Sequence, residues 1–582
     1  MTVQPAAAPA PDARKRHGVH YTPPELARFL ADRVVQALRP GLDLVGEPIR
    51  VLDPACGDGA LLAAAGARLR AAGHRIELVG LDRDPAAVAA ARRRLAATGP
   101  EPGSRAARGA GSFVALRVRD ALYGELAGGF HAVITNPPYV RTQLLGPATV
   151  AELARRFGLH GRVDLMHVFV ALAAEQLNPG GVLGLLCSNR FLSTQAGGNV
   201  RRLLAERFRV REVYDLGDSK PFPAAVLPAV VIGTAVPRPT ATPEPTHPPP
   251  RFVSVYQRPE PPEPSSHAGQ PDPSDRRFYT DLCAGADTVT HRAGRSFAVT
   301  VGTLGVEPSP AHRWRLDSAP GTRWAERVRR ATWRTFGEVT RIRVGIKTTA
   351  DRVFVRDDWD RLPPDLRPED ELLLPLLTNR TVRAWRGPDT PATRVLYPYD
   401  RRQASRRPVL LAEYPRAEAY LERHRDRLAA RDYLAKAGRE WFEIWVPQRP
   451  AGWAAPKIVF PDISVDPRFS VDRSGAVVNG DCYWISSAEL PGDDLGYLLV
   501  GVANSTLAVR FYDLMCANRL YSGRRRWMTQ YVNLLPLPDP GSRRSAEVVR
   551  YAKKLCGTSE NPDPQLVRQL DELVQNAFLE DQ

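Results

Sequence analysis

Residues 130–139 read Phe-His-Ala-Val-Ile-Thr-Asn-Pro-Pro-Tyr, and the interpretation of the chain depends on this stretch. The run Phe130–Ile134 predicts a buried strand, because it is dominated by apolar β-branched and aromatic residues. Pro137 and Pro138 remove two backbone donors and fix φ, so the strand must end in a stiff loop. Ligands of open α/β sheets bind beyond such strand ends. Taken alone, the loop fits a rigid turn as well as a binding site.

The composition predicts a soluble protein with several domains. A chain of 582 residues is too long for one core and predicts two to four domains. No apolar run is long enough to span a membrane, and no secretory signal is present, so we expect a cytoplasmic protein without a membrane partner. Six cysteines lack paired metal spacing, which argues against disulfides and against a bound metal.

The net charge of +16 favours a nucleic-acid partner, but only modestly. The chain has 73 Arg and 7 Lys. Together with abundant Ala and Pro, this skew is also what a GC-rich genome produces.

Tryptophan divides the chain more clearly than charge does. All ten tryptophans lie at or beyond Trp314, which predicts two parts with different roles. We predict an α/β domain over 17–236 with a doubly wound, mostly parallel sheet. A Pro-rich linker over 237–275, a mixed α+β domain over 276–540 and a helical segment over 541–582 follow. Residues 1–16 are expected to be disordered.

A glycine-rich turn predicts a second ligand contact. Ile49–Leu62 reads as strand, turn and helix, and glycines at 57 and 59 let a ligand approach the backbone. The spacing is not the dinucleotide fingerprint G-x-G-x-x-G. Asp53 and Asp58 would repel a pyrophosphate but suit a sulfonium cation. This favours S-adenosyl-L-methionine over a dinucleotide.

Four predicted strands each lead to a polar residue, namely Asp53, Asp82, Asp120 and Asn136. Such a series in alternating β/α order favours a nucleotide-like ligand, with Asp82 placed to bind ribose hydroxyls. Upstream, Thr22 predicts an N-cap with Pro23 at the first helical position and Glu25 completing a capping box. Helix initiation is a sufficient explanation of that segment.

These motifs, in this order, resemble the class I adenine-N6 DNA methyltransferases. More narrowly, they resemble the gamma-class, TaqI-like enzymes of restriction–modification systems. The resemblance rests on Tyr21–Glu25, on Asp53–Gly59, on the acidic residue ending the second strand, and on Asn136–Tyr139. Asp164–Phe169, Leu177–Leu183, Cys187–Leu192 and Pro221–Pro223 also fit, so the match covers roughly residues 17–236.

The resemblance implies methyl transfer from S-adenosyl-L-methionine to N6 of an adenine flipped out of double-stranded DNA. Asn136 and Pro137 would accept hydrogen bonds from the amino group, Pro138 would stiffen the loop, and Tyr139 and Phe222 would hold the base. The implied cofactor-binding residues are Tyr21, Thr22, Asp53, Ala55, Gly57, Gly59, Asp82, Arg83, Asp120 and Asn136. Asp at position 82, where the family often has Glu, makes that contact the weakest of the cofactor assignments.

The C-terminal part resembles the target-recognition domain of the same family, although more loosely. Basic residues interleaved with aromatic ones predict DNA contacts at Arg401, Arg402, Arg524, Arg525, Arg526 and Trp527. A solvated helix face is the competing interpretation of these arginines. A separately encoded restriction endonuclease is an expected partner.

Three other functions compete with this one. A protein glutamine methyltransferase uses the same loop type, but it would not need a basic, Trp-rich domain. An RNA adenine methyltransferase is excluded less firmly. A catalytically silent specificity subunit conflicts with the intact Asp53, Gly57, Gly59 and Asn136. Because little sequence precedes the first motif, we expect methylation without cleavage.

Overall fold

The computed structural model forms two compact units. It describes residues 21–38, 47–98, 113–139, 146–159, 163–221, 226–236, 248–258, 273–305, 314–387, 391–403, 405–516, 519–520, 523–558 and 562–580. The first unit comprises Met1–Ala319 and Leu520–Gly523, and the second comprises Pro320–Arg519 and Arg524–Gln582. Within the described ranges, no helix has both the length and the apolar character needed to cross a bilayer.

The first unit is built on an eleven-stranded sheet with the order β11-β10-β8-β6-β7-β5-β4-β1-β2-β3 and β9 paired to β10. Its strands are β1 Ile49–Asp53, β2 Ile76–Asp82, β3 Phe113–Val118, β4 Phe130–Thr135, β5 Leu177–Ser188, β6 Phe208–Asp215, β7 Pro228–Ala235, β8 Arg251–Gln257, β9 Thr288–Arg292, β10 Arg295–Gly305 and β11 Arg315–Asp317. Its helices are α1 Pro24–Leu38, α2 Ala60–Ala71, α3 Pro85–Ala97, α4 Pro147–Arg156, α5 Leu165–Gln176, α6 Arg190–Ser193, α7 Gly198–Arg207 and α8 Pro273–Asp281.

The half of the sheet around β1 and β4 is parallel, as the sequence predicted. Strands β3, β2, β1, β4 and β5 pair in parallel, and β7 runs antiparallel between β5 and β6. The carboxyl ends of β1, β2 and β4 therefore lie at one edge of the sheet. Each of these strands ends in a polar residue. Hydrophobic clusters cover both faces of the sheet, which explains why β4 is almost wholly apolar.

The amphipathic pattern of α1 is confirmed, but its start differs from the prediction. Leu26, Phe29 and Leu30 are buried, as are the later positions of the same stripe. The helix begins at Pro24, and the carbonyl of Pro23 accepts its first hydrogen bond from Ala27. Thr22 is thus not the residue that opens the helix, and its hydroxyl is used elsewhere.

The first unit extends past the predicted domain boundary at 236. Strand β8 pairs in parallel with β6, and β10 pairs with β8, so these strands lengthen the same sheet. Residues 248–258, which fall within the predicted linker, therefore contain a core strand, and 276–305 belong to the first unit. Trp314, the first tryptophan of the chain, lies much closer to the observed boundary after Ala319 than the predicted boundary at 236 does.

The second unit contains small sheets ordered β13-β22-β18-β20-β16, β14-β17-β15-β21, β12-β24 and β19-β23. Its strands are β12 Arg334–Thr335, β13 Arg343–Val344, β14 Val355–Arg356, β15 Leu373–Leu377, β16 Trp385–Arg386, β17 Arg394–Leu396, β18 Lys457–Pro461, β19 Ile463–Ser464, β20 Ser470–Asp472, β21 Val477–Val478, β22 Cys482–Ser486, β23 Arg525–Arg526 and β24 Pro536–Leu537. Its helices are α9 Ala319–Arg330, α10 Phe336–Val339, α11 Asp351–Phe354, α12 Pro415–Glu422, α13 Arg425–Ala429, α14 Asp432–Lys436, α15 Asp493–Ala503, α16 Thr506–Cys516, α17 Thr529–Val532, α18 Arg543–Gly557 and α19 Pro564–Leu579.

The predicted mixed α+β character of this part is confirmed. It alternates short strands with helices, three of them short ones between Pro415 and Lys436 and two longer ones between Asp493 and Cys516. The C-terminal helices α18 and α19 bury Val548, Leu570 and Val574 in the same hydrophobic cluster as α15 and α16. The predicted C-terminal segment is therefore part of the second unit's core.

Candidate active site

The glycine-rich turn after β1 is held against β2. The Cys56 amide donates to the Leu81 carbonyl at 2.8 Å, and Gly57 adopts φ +52°. A Cβ at Gly57 would lie 3.4 Å from the ring of Tyr21. Gly59, at φ +77°, lies against Ala91, and a Cβ there would approach the Ala91 methyl to 2.9 Å. Both positions favour glycine by conformation, and Gly59 also by close packing.

Asp82 connects the end of β2 to this turn. Its Oδ2 accepts from the Gly57 amide at 2.9 Å, and its Oδ1 accepts from the Asp84 amide at 2.9 Å. Asp58 is used differently, because its carboxylate forms an ion pair with Arg94 at 2.5 Å. Of the two acidic residues in the turn, Asp53 is therefore the one without an arginine partner among the described contacts.

Asp53 is a buried carboxyl group at the end of β1, with 1% of its surface exposed. Burial raises its pKa to about 7, and the negative charges of Asp82 and Asp58 add to that effect. The hydrogen bond that the Ala55 amide donates to Asp53 Oδ1, at 3.1 Å, opposes the shift. A cation placed beside Asp53 would favour its ionised form, so this end of the cavity suits a positively charged ligand.

The loop after β4 holds Asn136 beside α1. Asn136 Nδ2 donates to the Thr22 hydroxyl at 3.3 Å, and Thr22 itself is buried. Tyr139 has a buried hydroxyl, and this burial raises the pKa of the phenol well above its ordinary value, while the residue as a whole is partly exposed and lines a cavity. The phenol therefore stays neutral, and the ring is the part of Tyr139 available to a ligand.

One cavity of about 380 Å³ collects nearly all of the predicted site residues. Its lining includes Tyr21, Thr22, Asp53, Ala55, Gly57, Asp82, Arg83, Asp120, Asn136, Pro137, Pro138 and Tyr139. Among the described residues predicted to bind the cofactor or the base, Gly59 is the exception, because it packs on Ala91 of α3 instead. Phe222, predicted to hold the second face of the base, lies outside the described residues.

Sequence reasoning missed an apolar wall of the same cavity. Leu165 and Phe169 on α5 line it, as do Leu122, Tyr123 and Leu153. Asp164 caps α5 by accepting from the His167 amide, while His167 Nδ1 accepts from the Asp164 amide at 3.0 Å. The i,i+4 spacing of Leu165 and Phe169 directly after a capping Asp was the available signal.

A polar network continues along the same sheet edge. Asp215, at the end of β6, accepts from Asn189 Nδ2 at 2.8 Å and from the Tyr256 hydroxyl at 2.8 Å. All three side chains are buried, and burial raises the pKa of Asp215. The network fixes the carboxyl ends of β5, β6 and β8 to one another.

The basic segment of the second unit differs from the prediction at Trp527. The indole is fully buried, its Nε1 donates to Ser464 Oγ at 2.8 Å, and it packs against Tyr512 at 4.6 Å between ring centroids. The assignment of Trp527 to a DNA contact is therefore wrong in this structure, because the ring belongs to the core. Tyr397 and Tyr399, which precede the predicted arginines, are buried as well.

The predicted arginines fall into two groups. Arg525 pairs with Asp513 at 2.7 Å, and Arg526 lies 3.3 Å from Asp462. Burial alone would raise the pKa of Asp513, but the hydrogen bonds from Arg525 and Arg519 lower it below the ordinary value. Arg401, Arg402 and Arg524 are exposed instead.

Comparison with known proteins gives consistent similarities. Residues 77–222 match the family described as Eco57I restriction-modification methylase. The chain is 34% identical to Type II methyltransferase M.BanIII of Aneurinibacillus aneurinilyticus, over 97% of this chain and 96% of that protein. It is 28% identical to Type II methyltransferase M.PaeR7I of Pseudomonas aeruginosa, over 72% of this chain and 66% of that protein.

Solved structures share the fold at low sequence identity. The Type IIL restriction-modification enzyme MmeI, in complex with DNA, aligns with a TM-score of 0.60 and 13% identity, over 95% of this chain and 72% of that chain. A nuclease-deletion mutant of the Type ISP enzyme LlaGI, with a DNA substrate mimic, aligns with a TM-score of 0.52 and 12% identity, over 92% of this chain and 47% of that chain.

Proposed function

The chain belongs to the Type II methyltransferases, the DNA-modifying enzymes of restriction–modification systems, and on that premise we propose that it methylates N6 of adenine in double-stranded DNA with S-adenosyl-L-methionine. One observation supports an amino nitrogen as the methyl acceptor. The Asn136–Tyr139 loop, directly after a buried strand, lines the same cavity as Asp53 and Asp82.

The residues of the cavity fit this cofactor. Asp53 offers a buried carboxyl group to a cation, and Gly57 leaves its backbone open to a close ligand. Asp82 and Asp120, which line the cavity, would bind the ribose and the adenine amino group, and Leu165 and Phe169 would make apolar contact with the ring. When bound, S-adenosyl-L-methionine supplies an electrophilic methyl group on a sulfonium.

The loop residues orient and polarise the acceptor nitrogen. The lone pair of an adenine amino group is delocalised into the ring, so the nitrogen is a weak nucleophile. Hydrogen bonds from its two N–H groups to Asn136 Oδ1 and to the Pro137 carbonyl would draw the lone pair out of conjugation. Pro138 limits loop motion, which matters because displacement at a methyl group tolerates little misplacement. Tyr139 would stack on the flipped base.

DNA recognition is proposed for the second unit. The exposed Arg401, Arg402 and Arg524 remain candidates for phosphate contacts. Arg525 and Arg526 already pair with carboxylates, so we expect them to make weaker contacts with DNA phosphates. We also propose that the protein acts in the cytoplasm beside a separately encoded restriction endonuclease.

The test is direct. The purified full-length protein is incubated with PCR-amplified, hence unmodified, duplex DNA and cofactor carrying a labelled methyl group, and the DNA is digested to nucleosides. We expect the label in N6-methyldeoxyadenosine. Label in a cytosine derivative, or transfer only to RNA or to protein, would contradict the proposal. Long-read sequencing of the host genome for modified adenine would then give the recognition sequence.

A further inference from the structure

Two large aromatic side chains of the second unit are partly exposed and contact each other. Tyr433 and Trp445 are 38% and 37% exposed, and their rings meet edge to face with centroids 4.9 Å apart. Charged residues are exposed on the same segments, among them Asp432, Lys436 and Arg449. The pair is thus a small aromatic feature on segments that also expose charge, unlike the broad apolar core of a typical protein–protein interface.

A buried arginine fixes the backbone beneath this aromatic pair. The Arg431 guanidinium donates to the carbonyls of Thr348 and Glu443 at 3.0 Å each and of Trp441 at 2.6 Å. Arg439 Nη1 also donates to the Trp445 carbonyl, at 2.7 Å. These bonds join the three segments that carry the rings and the adjoining loop, so little conformational freedom remains to be lost when a ligand binds.

The adjoining loop is strained as well as fixed. Thr349 adopts φ +59°, a conformation that a β-branched residue rarely takes. Its Oγ1 accepts from the Tyr433 hydroxyl at 2.6 Å, and the neighbouring Lys347 pairs with Val446 through two backbone bonds of 3.0 Å. Strain of this kind persists where surrounding contacts hold a loop in a functional shape. The exposed Lys347 ammonium lies on this same loop.

We propose that Tyr433 and Trp445 form a DNA-contact surface used in target recognition, with Lys347 contributing a phosphate contact. The proposal rests on the proposed function, since it takes duplex DNA as the substrate. Rigid, partly exposed rings on segments that also carry cations suit the sugars and groove edges of duplex DNA together with its phosphate backbone. Neither aromatic residue belongs to the basic clusters that the sequence indicated.

The experiment compares DNA affinity between matched variants of the full chain. Trp445→Ala and Tyr433→Ala should weaken binding to an unmodified PCR duplex by about 5- to 30-fold each, the range expected for truncating an aromatic residue at an interface. Cofactor affinity, thermal unfolding and turnover at saturating DNA should stay near those of the wild type. Trp333→Ala is the control, because Trp333 is 43% exposed in the same unit.

Two further variants guard against a folding artefact. Trp445→Leu keeps an apolar contact with Tyr433 but removes the indole face, so it should still bind DNA weakly. Tyr433→Phe keeps the ring and loses the bond to Thr349, so it should bind more tightly than Tyr433→Ala. Unchanged DNA affinity in Trp445→Ala, or an equal loss in Trp333→Ala, would overturn the proposal. A wild-type protein that binds DNA but does not label adenine would instead contradict the proposed function.

Discussion

Two clusters of charged and aromatic side chains in this molecule use similar residue types for different ends. At the edge of the first unit's sheet, Asp53, Asn136 and Tyr139 face a cavity. Near β23, Arg525 and Trp527 bind side chains of their own unit, Asp513 and Ser464. The first cluster keeps polar groups directed at a cavity, whereas the second uses them to stabilise the fold. Residue types alone do not distinguish the two, but their partners do.

The largest expected effect tests the second cluster. Trp527→Ala removes a fully buried indole and should lower the free energy of unfolding by about 3–5 kcal/mol. Denaturant unfolding, followed by fluorescence and circular dichroism, measures the change. Trp445→Ala is the matched control, because that ring is partly exposed and should cost far less stability. Equal losses of stability in the two variants would contradict the assignment of Trp527 to the core and of Trp445 to the surface.

Asn136→Ala tests the first cluster. Removing a hydrogen-bond acceptor aimed at the reacting nitrogen should lower the turnover number by about 10²-fold or more. Cofactor affinity should change little. Asn178→Ala serves as the control, because Asn178 donates to the Gly129 carbonyl near the amino end of β5, away from the cavity. Single-turnover methylation kinetics would show the difference, and near-wild-type rates in Asn136→Ala would exclude its catalytic role.

The topology explains why one site could be predicted and the other could not. In a parallel sheet, the carboxyl ends of successive strands meet at one edge, so Asp53, Asp82 and Asn136 had to lie together once the strands were identified. Trp527 depends instead on Ser464, 63 residues earlier, and on a two-residue strand pairing that carries no local pattern. The domain boundary shows the same limit, because β8 joins the sheet after a Pro-rich segment that reads as a linker.

Asp82→Ala should weaken cofactor binding more than it lowers the turnover number. The substitution removes the acceptor of the Gly57 and Asp84 amides as well as the proposed contact with the ribose hydroxyls. A hydrogen bond to a charged group contributes about 1.5–3 kcal/mol, so loss of the ribose contact should lower affinity by about one to two orders of magnitude. Asp84→Ala is the control, since that side chain only caps α3 through Ala86. Titration calorimetry measures both, and equal losses would contradict the assignment.

Asp53→Asn should remove a pH dependence of both stability and cofactor binding. The folded pKa of about 7 lies above the unfolded value near 4, so the native state binds the extra proton. The free energy of unfolding of the wild type should therefore fall as pH rises from about 4 to about 7. Cofactor affinity should rise over about pH 6 to 7, by up to about tenfold per unit, because a cation favours the carboxylate.

The asparagine variant should bind the cofactor weakly at every pH in this range, and without the cofactor it should exceed the wild type in stability above about pH 7. Calorimetry and thermal unfolding across the range measure the two effects. Binding by the wild type that does not change with pH would show that Asp53 is already ionised without the cofactor.

Arg524→Ala should have the smallest effect and separates exposed from paired arginines in the second cluster. Arg524 is exposed, whereas Arg526 lies beside Asp462. If Arg524 contacts one phosphate, its loss should reduce the slope of log affinity against log salt by about 0.9, with affinity falling only a few-fold at moderate salt. Arg526→Ala should leave the slope closer to the wild-type value, because its charge already has a carboxylate beside it. Arg543, whose side chain is 93% exposed, gives the control for net charge. A slope change in Arg543→Ala equal to that in Arg524→Ala would show that general charge, and not a contact at Arg524, accounts for the effect.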